Sequence, residues 1–470
     1  MYGVNQNIVT MTSWRPRLRP DLPRYLAIAD GLASDVSTGA LAPGTRMPTH
    51  RDLADALGVT IGTVSRAYAE AARRGLVTGE VGRGTFVRSA TGGEPGVSEG
   101  GASDVIDLSV NHPPPVEGAE AAALQAVLRS LSRRRDMDAL LSYPAEGGSR
   151  AHREAAAEWI ARGGHVVPPE RVVLTSGSQH GLVALLSMLA REGDAILAEE
   201  LTYPGLKAIA GLLRMRVQPV AMDAGGLVPA ALDEACARSG ARVLYAMPTI
   251  HNPVACVLSA RRREEIAEIV ARRGLTLIED DVHGRLADRP PPPIAALVPD
   301  RVFYVGSTSK TLAPGLRVGF VAAPPAMAER LASTVRVTTW GAAPLTSEIV
   351  ADWIRDGTAE SLLAARRREA AARQALVRDA LGAVPGMTAG AYHCWMPLPS
   401  RWTSAAFAAE CRRRAVAVTP SDAFHAGTGE PPAAVRLCVG APRTREALVR
   451  GLRALRQALE AMPEAALAIV

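Results

Sequence analysis

The chain has 470 residues, too many for one ordinary domain and enough for two to four folded units. Charged residues, glycine or proline interrupt every apolar run, so we expect no membrane span, and the N-terminus lacks the pattern of a secretory signal. Five widely spaced cysteines offer no close pair for a zinc or redox motif and favour the cytoplasm, and the net charge of +6 is compatible with nucleic-acid binding.

Lysine is unusually rare. Of the 53 lysines and arginines only Lys207 and Lys310 are lysines. An ammonium group can lose its proton and form a Schiff base, whereas a guanidinium group stays charged. A lysine retained against this bias can have a role that arginine cannot fill. For Lys207, which stands in a Pro-Gly-Leu-Lys helix start, a surface or helix-packing role is the simpler interpretation.

The first part of the chain has the pattern of three short helices followed by two strands. Apolar residues recur at helical spacing over 22–36, and Gly58 then separates two further helical segments. Two short strands, 76–78 and 85–88, can pair across a glycine-rich tip. The pattern predicts a winged helix-turn-helix domain over residues 14–88.

In such a domain the N-terminal end of the third helix enters the major groove of DNA. The alternative is that these positions are helix caps and surface residues of a module that binds protein. We expect a double-stranded DNA operator as the partner. The side chains expected nearest the bases or phosphates are Thr60, Gly62, Thr63, Ser65 and Arg66, with Arg51 and Arg83 flanking the groove.

The stretch from about Pro23 to Val87 resembles the GntR family of winged-helix regulators. The matching text includes Arg51-Asp-Leu-Ala54, Leu57-Gly-Val-Thr60 and Gly82-Arg-Gly-Thr-Phe-Val87. The stretch departs from the family at Ile61, where many relatives carry an arginine that contacts DNA, and at Thr49-His50, where Ser-Glu or a similar pair is common. The resemblance implies DNA binding and leaves the operator sequence open.

A second, larger domain follows a linker. Residues 89–104 are rich in glycine, serine and acidic residues and are predicted to be a flexible linker. Over 105–470, apolar strand-like runs alternate with amphipathic helices, which predicts an α/β domain with a mainly parallel sheet covered on both faces. Ligands in such sheets lie at the carboxyl ends of the strands. No glycine-rich dinucleotide fingerprint follows the first strand, so we expect no nicotinamide site.

Three strand ends carry residues suited to a phosphorylated aldehyde. Thr175-Ser-Gly-Ser-Gln179 opens a helix whose backbone N–H groups and dipole can hold a phosphate. Glu279-Asp280-Asp281 offers a buried acid for a pyridinium nitrogen. Gly306-Ser-Thr-Ser-Lys310 offers an amine for a Schiff base, and Arg317 follows for the phosphate. Each piece alone could be a solvated loop, but their order favours a site for pyridoxal 5'-phosphate (PLP).

Residues 105 to about 465 resemble the fold-type I PLP aminotransferases, and the whole chain resembles the MocR subgroup of GntR regulators. The resemblance implies a PLP-dependent transferase domain with a smaller C-terminal α/β subdomain, assembled as a homodimer. It makes Lys310 the internal aldimine lysine and Asp280 the partner of the pyridine nitrogen. Arg436, in Val-Arg-Leu, would bind the carboxylate of an amino acid.

Further cofactor contacts follow from the same resemblance. They are Asn252 at the phenolic oxygen, Tyr203 on the ring, Gly177, Ser178, Gln179, Ser307, Ser309 and Arg317 around the phosphate, and Tyr143 reaching the neighbouring subunit's cofactor. The run His-Asn-Pro-Val-Ala departs from the usual Asn-Pro-Thr-Gly. His283 stands where aminotransferases carry a tyrosine that donates to the phenolic oxygen, and an imidazole titrates closer to neutrality than a phenol.

Three functions are compatible with the sequence. In the first, PLP or an amino-acid-like amine acting at the Lys310 aldimine changes how the large domains hold the DNA-binding heads. In the second, the chain is an active class I/II aminotransferase with an incidental DNA-binding head. In the third, the domain is a cofactor-free dimerisation scaffold, which the set of Lys310, Asp280 and Arg317 disfavours. His251 and His393 lack a third ligand at sensible spacing, so we expect no metal site.

Overall fold

The structure of the chain is a computed structural model that divides it into two compact units, with the boundary after Gly92. The predicted linker over 89–104 lies entirely outside the described residues, so the flexibility of that segment and the exact domain limits stay predictions. The described residues are 14–16, 22–37, 40–41, 45–73, 76–80, 84–87, 105–384, 386–427 and 429–462.

The N-terminal unit has the predicted order of three helices and a two-stranded wing. The third helix and the two strands begin or end within two residues of their predicted limits. The strands pair antiparallel, with Val77 opposite Val87. The helices are Arg24–Ser37 (α1), His50–Leu57 (α2) and Ile61–Arg73 (α3), and the strands are Val77–Glu80 (β1) and Gly84–Val87 (β2).

Local hydrogen bonds shape the turn between α2 and α3. The Thr49 hydroxyl accepts from the backbone N–H of Asp52 at 3.2 Å and so caps α2. Gly58 ends α2 with a left-handed φ of 62°, which favours glycine. The Thr60 hydroxyl then accepts from the backbone N–H of Thr63 at 3.2 Å and caps α3. The helices pack on a core that includes Ile28, Leu32, Leu53, Val64, Ala67 and Tyr68.

The second unit is built on a seven-stranded sheet in the order β4-β12-β11-β10-β9-β5-β6. Only β12 runs antiparallel to its neighbours, so the prediction of a mainly parallel sheet is confirmed. The seven strands are Val172–Thr175 (β4), Ala195–Glu199 (β5), Arg216–Val220 (β6), Val243–Ala246 (β9), Thr276–Asp280 (β10), Val302–Ser307 (β11) and Gly319–Ala322 (β12). Between them, Met222–Asp223 (β7) and Gly226–Leu227 (β8) form a small hairpin.

Helices cover both faces of this sheet. Leu277 packs into one large apolar cluster and its neighbour Ile278 into another, as expected when successive side chains of a buried strand point to opposite faces. The helices are Ala119–Leu131 (α4), Met137–Leu141 (α5), Arg150–Ala161 (α6), Ser178–Leu189 (α7), Pro204–Leu212 (α8), Pro229–Ser239 (α9), Ala260–Arg273 (α10), Ile294–Leu297 (α11), Ala328–Thr339 (α12), Pro344–Arg355 (α13) and Thr358–Leu381 (α14).

A smaller C-terminal subdomain completes the unit, as predicted. Its antiparallel sheet has the order β13-β16-β15, and a two-residue strand from the beginning of the unit, β3, pairs with β14. Every helix in the described part of the chain is too short or too polar to cross a membrane. The elements are Ile106–Asp107 (β3), His393–Pro397 (β13), Ser404–Arg413 (α15), Val416–Ala417 (β14), Thr419–Pro420 (β15), Ala434–Cys438 (β16) and Arg445–Glu460 (α16).

An ion-pair cluster ties α13 to α6. His152 Nε2 lies 2.6 Å from one oxygen of the Glu348 carboxylate, and the Arg134 guanidinium lies 2.5 Å from the other. The Glu348 side chain is only 10% exposed. The hydrogen bond from His152, with the charge of Arg134, lowers the pKa of Glu348 from 4.5 to about 2. The contribution of this cluster to stability is therefore complete above pH 4.5 and is lost as the pH falls towards 2.

We expect Glu348→Gln to lower the free energy of unfolding by about 1–3 kcal/mol at pH 7, because His152 and Arg134 lose the carboxylate that both of them contact. The difference from wild type should shrink at pH 3.5. Chemical denaturation at a fixed protein concentration measures both values. Glu265→Gln, in the exposed pair with Arg261, is the matched control and should change stability by less than about 0.5 kcal/mol. A difference that is the same at both pH values would contradict the prediction.

Candidate functional site

The loops that follow the carboxyl ends of the sheet strands surround a pocket of about 430 Å³. These loops lie next to one another because the carboxyl ends of parallel strands lie at the same edge of a sheet. Most of the lining residues were predicted from the sequence as cofactor contacts, but Asn111, Met247 and Val282 were not. The lining residues are Asn111, Ser178, Tyr203, Met247, Asn252, Asp280, Val282, His283, Ser307, Ser309 and Lys310.

Lys310 enters the pocket from the loop after β11. Its ammonium group donates a hydrogen bond to the backbone carbonyl of Asn111. The Asn111 side-chain nitrogen lies 3.4 Å from His283 Nε2 and 3.3 Å from His393 Nδ1. Its side-chain oxygen, and Nδ1 of His283, are buried without a hydrogen-bond partner in the described part of the chain. Two buried polar atoms of the pocket residues thus have no partner among the described residues.

Asp280 ends β10 with its side chain buried in the pocket wall. Burial raises the pKa of Asp280 from 3.8 to about 6, so that the group is mostly ionised at neutral pH. The Tyr245 hydroxyl donates to its Oδ2 at 2.8 Å, and the backbone N–H of Val282 donates to Oδ1 at 3.3 Å. Both bonds, with the charge of Lys310, hold the pKa below the value that burial alone would give. The site therefore keeps one buried carboxylate charged.

A separate group of donors lies at the N-terminus of α7. Gly177 has a φ of 87°, and a Cβ atom there would lie 2.6 Å from a nitrogen of the Arg317 guanidinium, so only glycine fits. The hydroxyls of Ser307 and Ser309 lie 3.0 Å apart. No ion pair involving Arg317 occurs among the described residues, which leaves a cationic group beside a helix N-terminus and two hydroxyls. This combination suits a phosphate.

Three buried histidines, His251, His283 and His393, lie close together, and His283 lines the pocket. The rings of His283 and His393 are 5.7 Å apart, and His393 Nε2 lies 3.0 Å from the backbone oxygen of His251. Burial lowers the pKa of His251 and of His393 to about 3, and lowers the pKa of His283 well below its ordinary value. His283 is thus neutral at physiological pH, rather than titrating near neutrality. No metal-binding group of His, Cys, Asp or Glu occurs in the described ranges.

Arg436 is fully buried next to Asn252. Its guanidinium donates to Asn252 Oδ1 at 2.8 Å and to the backbone oxygen of Ser109 at 2.5 Å. The ring of Phe424 lies beneath it, 4.8 Å from the guanidinium carbon. The Asn252 side chain, which lines the pocket, therefore connects the arginine to the place expected for a cofactor ring.

Five predicted residues are not among those that line the pocket within one chain: Tyr143, Gly177, Gln179, Arg317 and Arg436. Gln179 is exposed on the first turn of α7. Tyr143 is 81% exposed, and its ring packs on that of Trp340 with 5.1 Å between centroids. The placement of Tyr143 is what a residue acting in another subunit requires, but its role stays a prediction.

The predicted DNA-contact residues lie on and around the N-terminal turn of α3. Gly62 and Arg66 are exposed, Thr63 and Ser65 are half-buried, and Arg51 is exposed on α2. The Ser65 hydroxyl lies 3.0 Å from His50 Nδ1, and the Arg66 guanidinium carbon lies 5.0 Å from the centre of the Tyr25 ring. Arg83, predicted in the wing, lies outside the described residues.

Two family models match this chain. Residues 103–455 match the family "Aminotransferase class I and II", and residues 24–87 match "Bacterial regulatory proteins, gntR family". The two matches fall on the two folded units and combine a DNA-binding head with an aminotransferase-like domain. The chain belongs to the MocR subfamily of GntR regulators.

Named relatives agree with this assignment. An uncharacterized HTH-type transcriptional regulator of Bacillus subtilis, YdeF, is 31% identical over 95% of this chain and 97% of its own length. The probable rhizopine catabolism regulatory protein MocR of Rhizobium meliloti is 29% identical over 75% of this chain and 76% of its own length. LysN, an α-aminoadipate aminotransferase of Thermus thermophilus crystallised with N-(5'-phosphopyridoxyl)-L-leucine, is 28% identical with a TM-score of 0.67, over 78% of this chain and 94% of its own.

Membership of the MocR subfamily implies operator DNA for the head and PLP for the large domain. The pocket fits that cofactor. It combines a primary amine at Lys310, an ionised carboxylate at Asp280, and cationic and N–H donors at the start of α7. Buried polar atoms of His283 and Asn111 that have no partner among the described residues add to this set. PLP carries an aldehyde, a pyridine nitrogen and a phosphate, one for each of the first three groups.

Sequence reasoning missed two polar residues of this MocR-type site. Tyr245 lies within β9 and reads as an ordinary core aromatic, because its partner Asp280 is 35 residues away on the next strand. Asn111 follows the two-residue strand β3 and lies 199 residues from Lys310. Neither position has a local motif. The pairing of β9 with β10 places Tyr245 opposite Ile278, two residues before Asp280. Tyr245 could have been predicted as a partner of Asp280 only if this strand order had been known.

We expect Tyr245→Phe to weaken PLP binding about tenfold at pH 7, because losing the hydroxyl donor raises the pKa of Asp280 and reduces its negative charge. The loss should be smaller at pH 8.5, where Asp280 is ionised in both proteins. Absorbance titration with PLP measures the affinity. Tyr304→Phe is the matched control, since the Tyr304 hydroxyl donates at the same 2.8 Å distance to Asp281, which does not line the pocket. Equal losses in both variants would mean that the effect is structural.

Proposed function

We propose that this transcription regulator binds PLP at Lys310 and responds to an amine of the amino-acid class. The observation that carries the proposal is the placement of the Lys310 amine and the ionised Asp280 in one pocket, with the Arg317 guanidinium next to Gly177 at the N-terminus of α7. A cofactor-free scaffold would gain nothing from a buried carboxylate and an inward-facing lysine, since both cost free energy when they are left without a ligand.

Each group of residues has one role in this proposal. When bound, PLP supplies an electrophilic aldehyde that reacts reversibly with primary amines. Lys310 holds the cofactor through its amine, and Asp280 pairs with the pyridine nitrogen. Asn252 and His283 border the phenolic oxygen. The phosphate is held by Gly177, Ser178, Ser307, Ser309 and Arg317, and the ring is covered by Tyr203.

Arg436 favours an effector that carries a carboxylate. Its guanidinium is fixed in direction by Asn252 and by the backbone oxygen of Ser109, so little conformational freedom remains to be lost on binding. An arginine with two parallel N–H groups recognises a carboxylate in a bidentate manner. We infer that amino acids bind more tightly than amines of the same shape without the carboxylate.

Regulation then requires that the effector distinguish two states of the protein. A ligand with equal affinity for two arrangements of the DNA-binding heads does not change the equilibrium between them. The effector must therefore bind the pocket more tightly in one arrangement than in the other. The cytoplasm, which the wide spacing of the five cysteines favours, suits such a regulator.

Transamination is the second candidate function. The retention of both Lys310 and Asp280 in one pocket favours it, because a protein that only binds PLP has less need for a tuned acid. The neutral His283, in place of the usual tyrosine, distinguishes this site from the aminotransferase pattern. Formation of the 2-keto acid from an amino acid, measured at substoichiometric protein, separates turnover from sensing.

The proposed function predicts a linked pair of results for the full-length protein. The purified protein should show an absorbance band at about 330–420 nm that borohydride removes, and Lys310→Ala should lack it because the amine is gone. In a gel shift with DNA from upstream of the coding region, amino acids should change the affinity of the wild type but not of Lys310→Ala. Specific DNA binding without any band after PLP addition would refute the cofactor role, and no specific retardation would refute the regulator.

We also propose that the protein is a homodimer joined through an exposed apolar patch. The patch consists of Leu141, Tyr143, Val337 and Trp340, which are 82, 81, 87 and 49% exposed. Patches of this kind usually mark interaction sites. The patch borders the phosphate side of the pocket, because the Ser176 hydroxyl, next to Gly177, bonds to the backbone oxygen next to Trp340. A second copy seated here would bring its own Tyr143 to the cofactor.

We expect Leu141→Arg to convert dimer to monomer, because a charge would be buried in the proposed interface. Sedimentation velocity at micromolar concentration measures the change, which should be at least tenfold in the dissociation constant. Val166→Arg is the matched control, since Val166 is 86% exposed and belongs to a different surface loop. A Leu141→Arg protein that remains as dimeric as the control would show that the interface lies elsewhere.

A further inference from the structure

Lys207, which the PLP site does not use, contacts a turn of the C-terminal subdomain. It lies on the first turns of α8, which begins directly after Tyr203. Its ammonium group donates to three backbone oxygens, those of His425 at 2.7 Å, Ala423 at 3.1 Å and Asp422 at 3.4 Å. The sequence favoured a surface or helix-packing role, but the side chain is half-buried at a junction between subdomains.

Three convergent carbonyls explain why this residue is a lysine in an arginine-rich chain. An ammonium group carries three N–H bonds at tetrahedral angles from a single atom, so it can donate to three oxygens around it. A guanidinium group is planar and wider, and it directs its donors outward in one plane. The 3-10 turn Ser421–Ala423 ends here, which accounts for the carbonyls that no helix satisfies.

The backbone of the α8 entry segment adds to the same attachment. The N–H of Thr202 donates to the oxygen of Phe424 at 2.9 Å, and the N–H of Ala426 donates to the oxygen of Glu200 at 2.8 Å. Together with Lys207, this segment therefore satisfies all four consecutive carbonyls from 422 to 425. We call residues 421–427 the anchored turn.

The anchored turn supports Arg436. Phe424, at its centre, is fully buried, and its ring lies 4.8 Å from the guanidinium carbon of Arg436. Trp395 also packs against the Phe424 ring, edge to face at 6.0 Å between centroids. If the turn moved, the face on which the guanidinium rests would move with it.

We propose that Lys207 is a positioning residue that holds Arg436 in the orientation needed to bind the carboxylate of an amino-acid effector. The role rests on the proposed function of the pocket. Lys207 touches neither cofactor nor effector and acts through the anchored turn and Phe424. It thus sets the preference for amino acids over simple amines, and links that preference to the segment that carries Tyr203.

The test compares two ligands that differ only in the carboxylate, L-leucine and 3-methylbutylamine. Both are titrated into the full-length, PLP-loaded protein, and the apparent Kd is taken from the change in the visible spectrum. Lys207→Met keeps the apolar stem and removes the donors. We expect it to weaken L-leucine binding about tenfold and to change the affinity for 3-methylbutylamine and for PLP by less than twofold.

Two further variants separate positioning from stability and from charge. Arg216→Met is the matched control, because Arg216 is an exposed cation that also donates to a backbone oxygen, that of Gly193 at 3.2 Å, away from the pocket. It should leave both affinities unchanged. Lys207→Arg keeps the charge but not the tetrahedral donors, and should resemble Lys207→Met. Wild-type behaviour of Lys207→Arg would overturn the geometric argument.

The outcomes distinguish this inference from the proposed function. If wild type prefers L-leucine and Lys207→Met keeps that preference, or loses affinity for both ligands equally, the positioning role is wrong. If wild type does not prefer L-leucine, the amino-acid effector class is itself wrong, and the carboxylate role of Lys207 with it. Hydrogen exchange over 420–427 then reports the anchoring alone, which faster exchange in Lys207→Met would support and unchanged exchange would refute.

Discussion

The buried, ionised carboxylate of Asp280 constrains the arrangement of the residues around it. Burying Asp280 raises its pKa to about 6, and keeping it charged at neutral pH requires donors that do not themselves bring further negative charge. Tyr245, the N–H of Val282 and the cation of Lys310 meet that need from three different segments. Each of them must be placed by the order of β9, β10 and β11 in the sheet, so the chemistry of the pocket depends on strand order.

Glu199, a second buried acid near Asp280, avoids the cost of a buried charge by staying protonated. Burial raises the pKa of Glu199 to about 8, with Asp280 adding to the rise, so that Glu199 is mostly protonated at neutral pH. Its Oε1 accepts from the backbone N–H of Met247 at 2.9 Å and lies 3.8 Å from His251 Nε2. Two buried acids thus hold different protonation states at the same pH, which leaves the negative charge on the one that lines the pocket.

Features set by local sequence could be predicted, and features set by distant contacts could not. The turn at Gly58 and the loop that carries Lys310 are each encoded within a few residues, and the structure has them where they were expected. Tyr245 and Asn111 were missed because their partners are remote in sequence. Lys207 was noticed for its rarity, but three carbonyls more than 200 residues away carry no signal that a single sequence displays.

The surroundings of His283 change the interpretation of this residue, which stands where aminotransferases carry a tyrosine. From sequence, an imidazole in place of a phenol suggested a group that titrates close to neutrality. In the folded protein, burial and the nearby positive charges of Lys310 and Arg436 favour the neutral ring, and His393 adds to the effect. A neutral imidazole can either donate or accept one hydrogen bond at each nitrogen, depending on the tautomer. Because His283 Nε2 faces the Asn111 side chain and Nδ1 has no partner in the described part of the chain, a bound ligand can select the tautomer. When a ligand binds, the proton of His283 can thus move from one ring nitrogen to the other while the ring stays neutral. This property suits a site that must bind and release effectors at neutral pH.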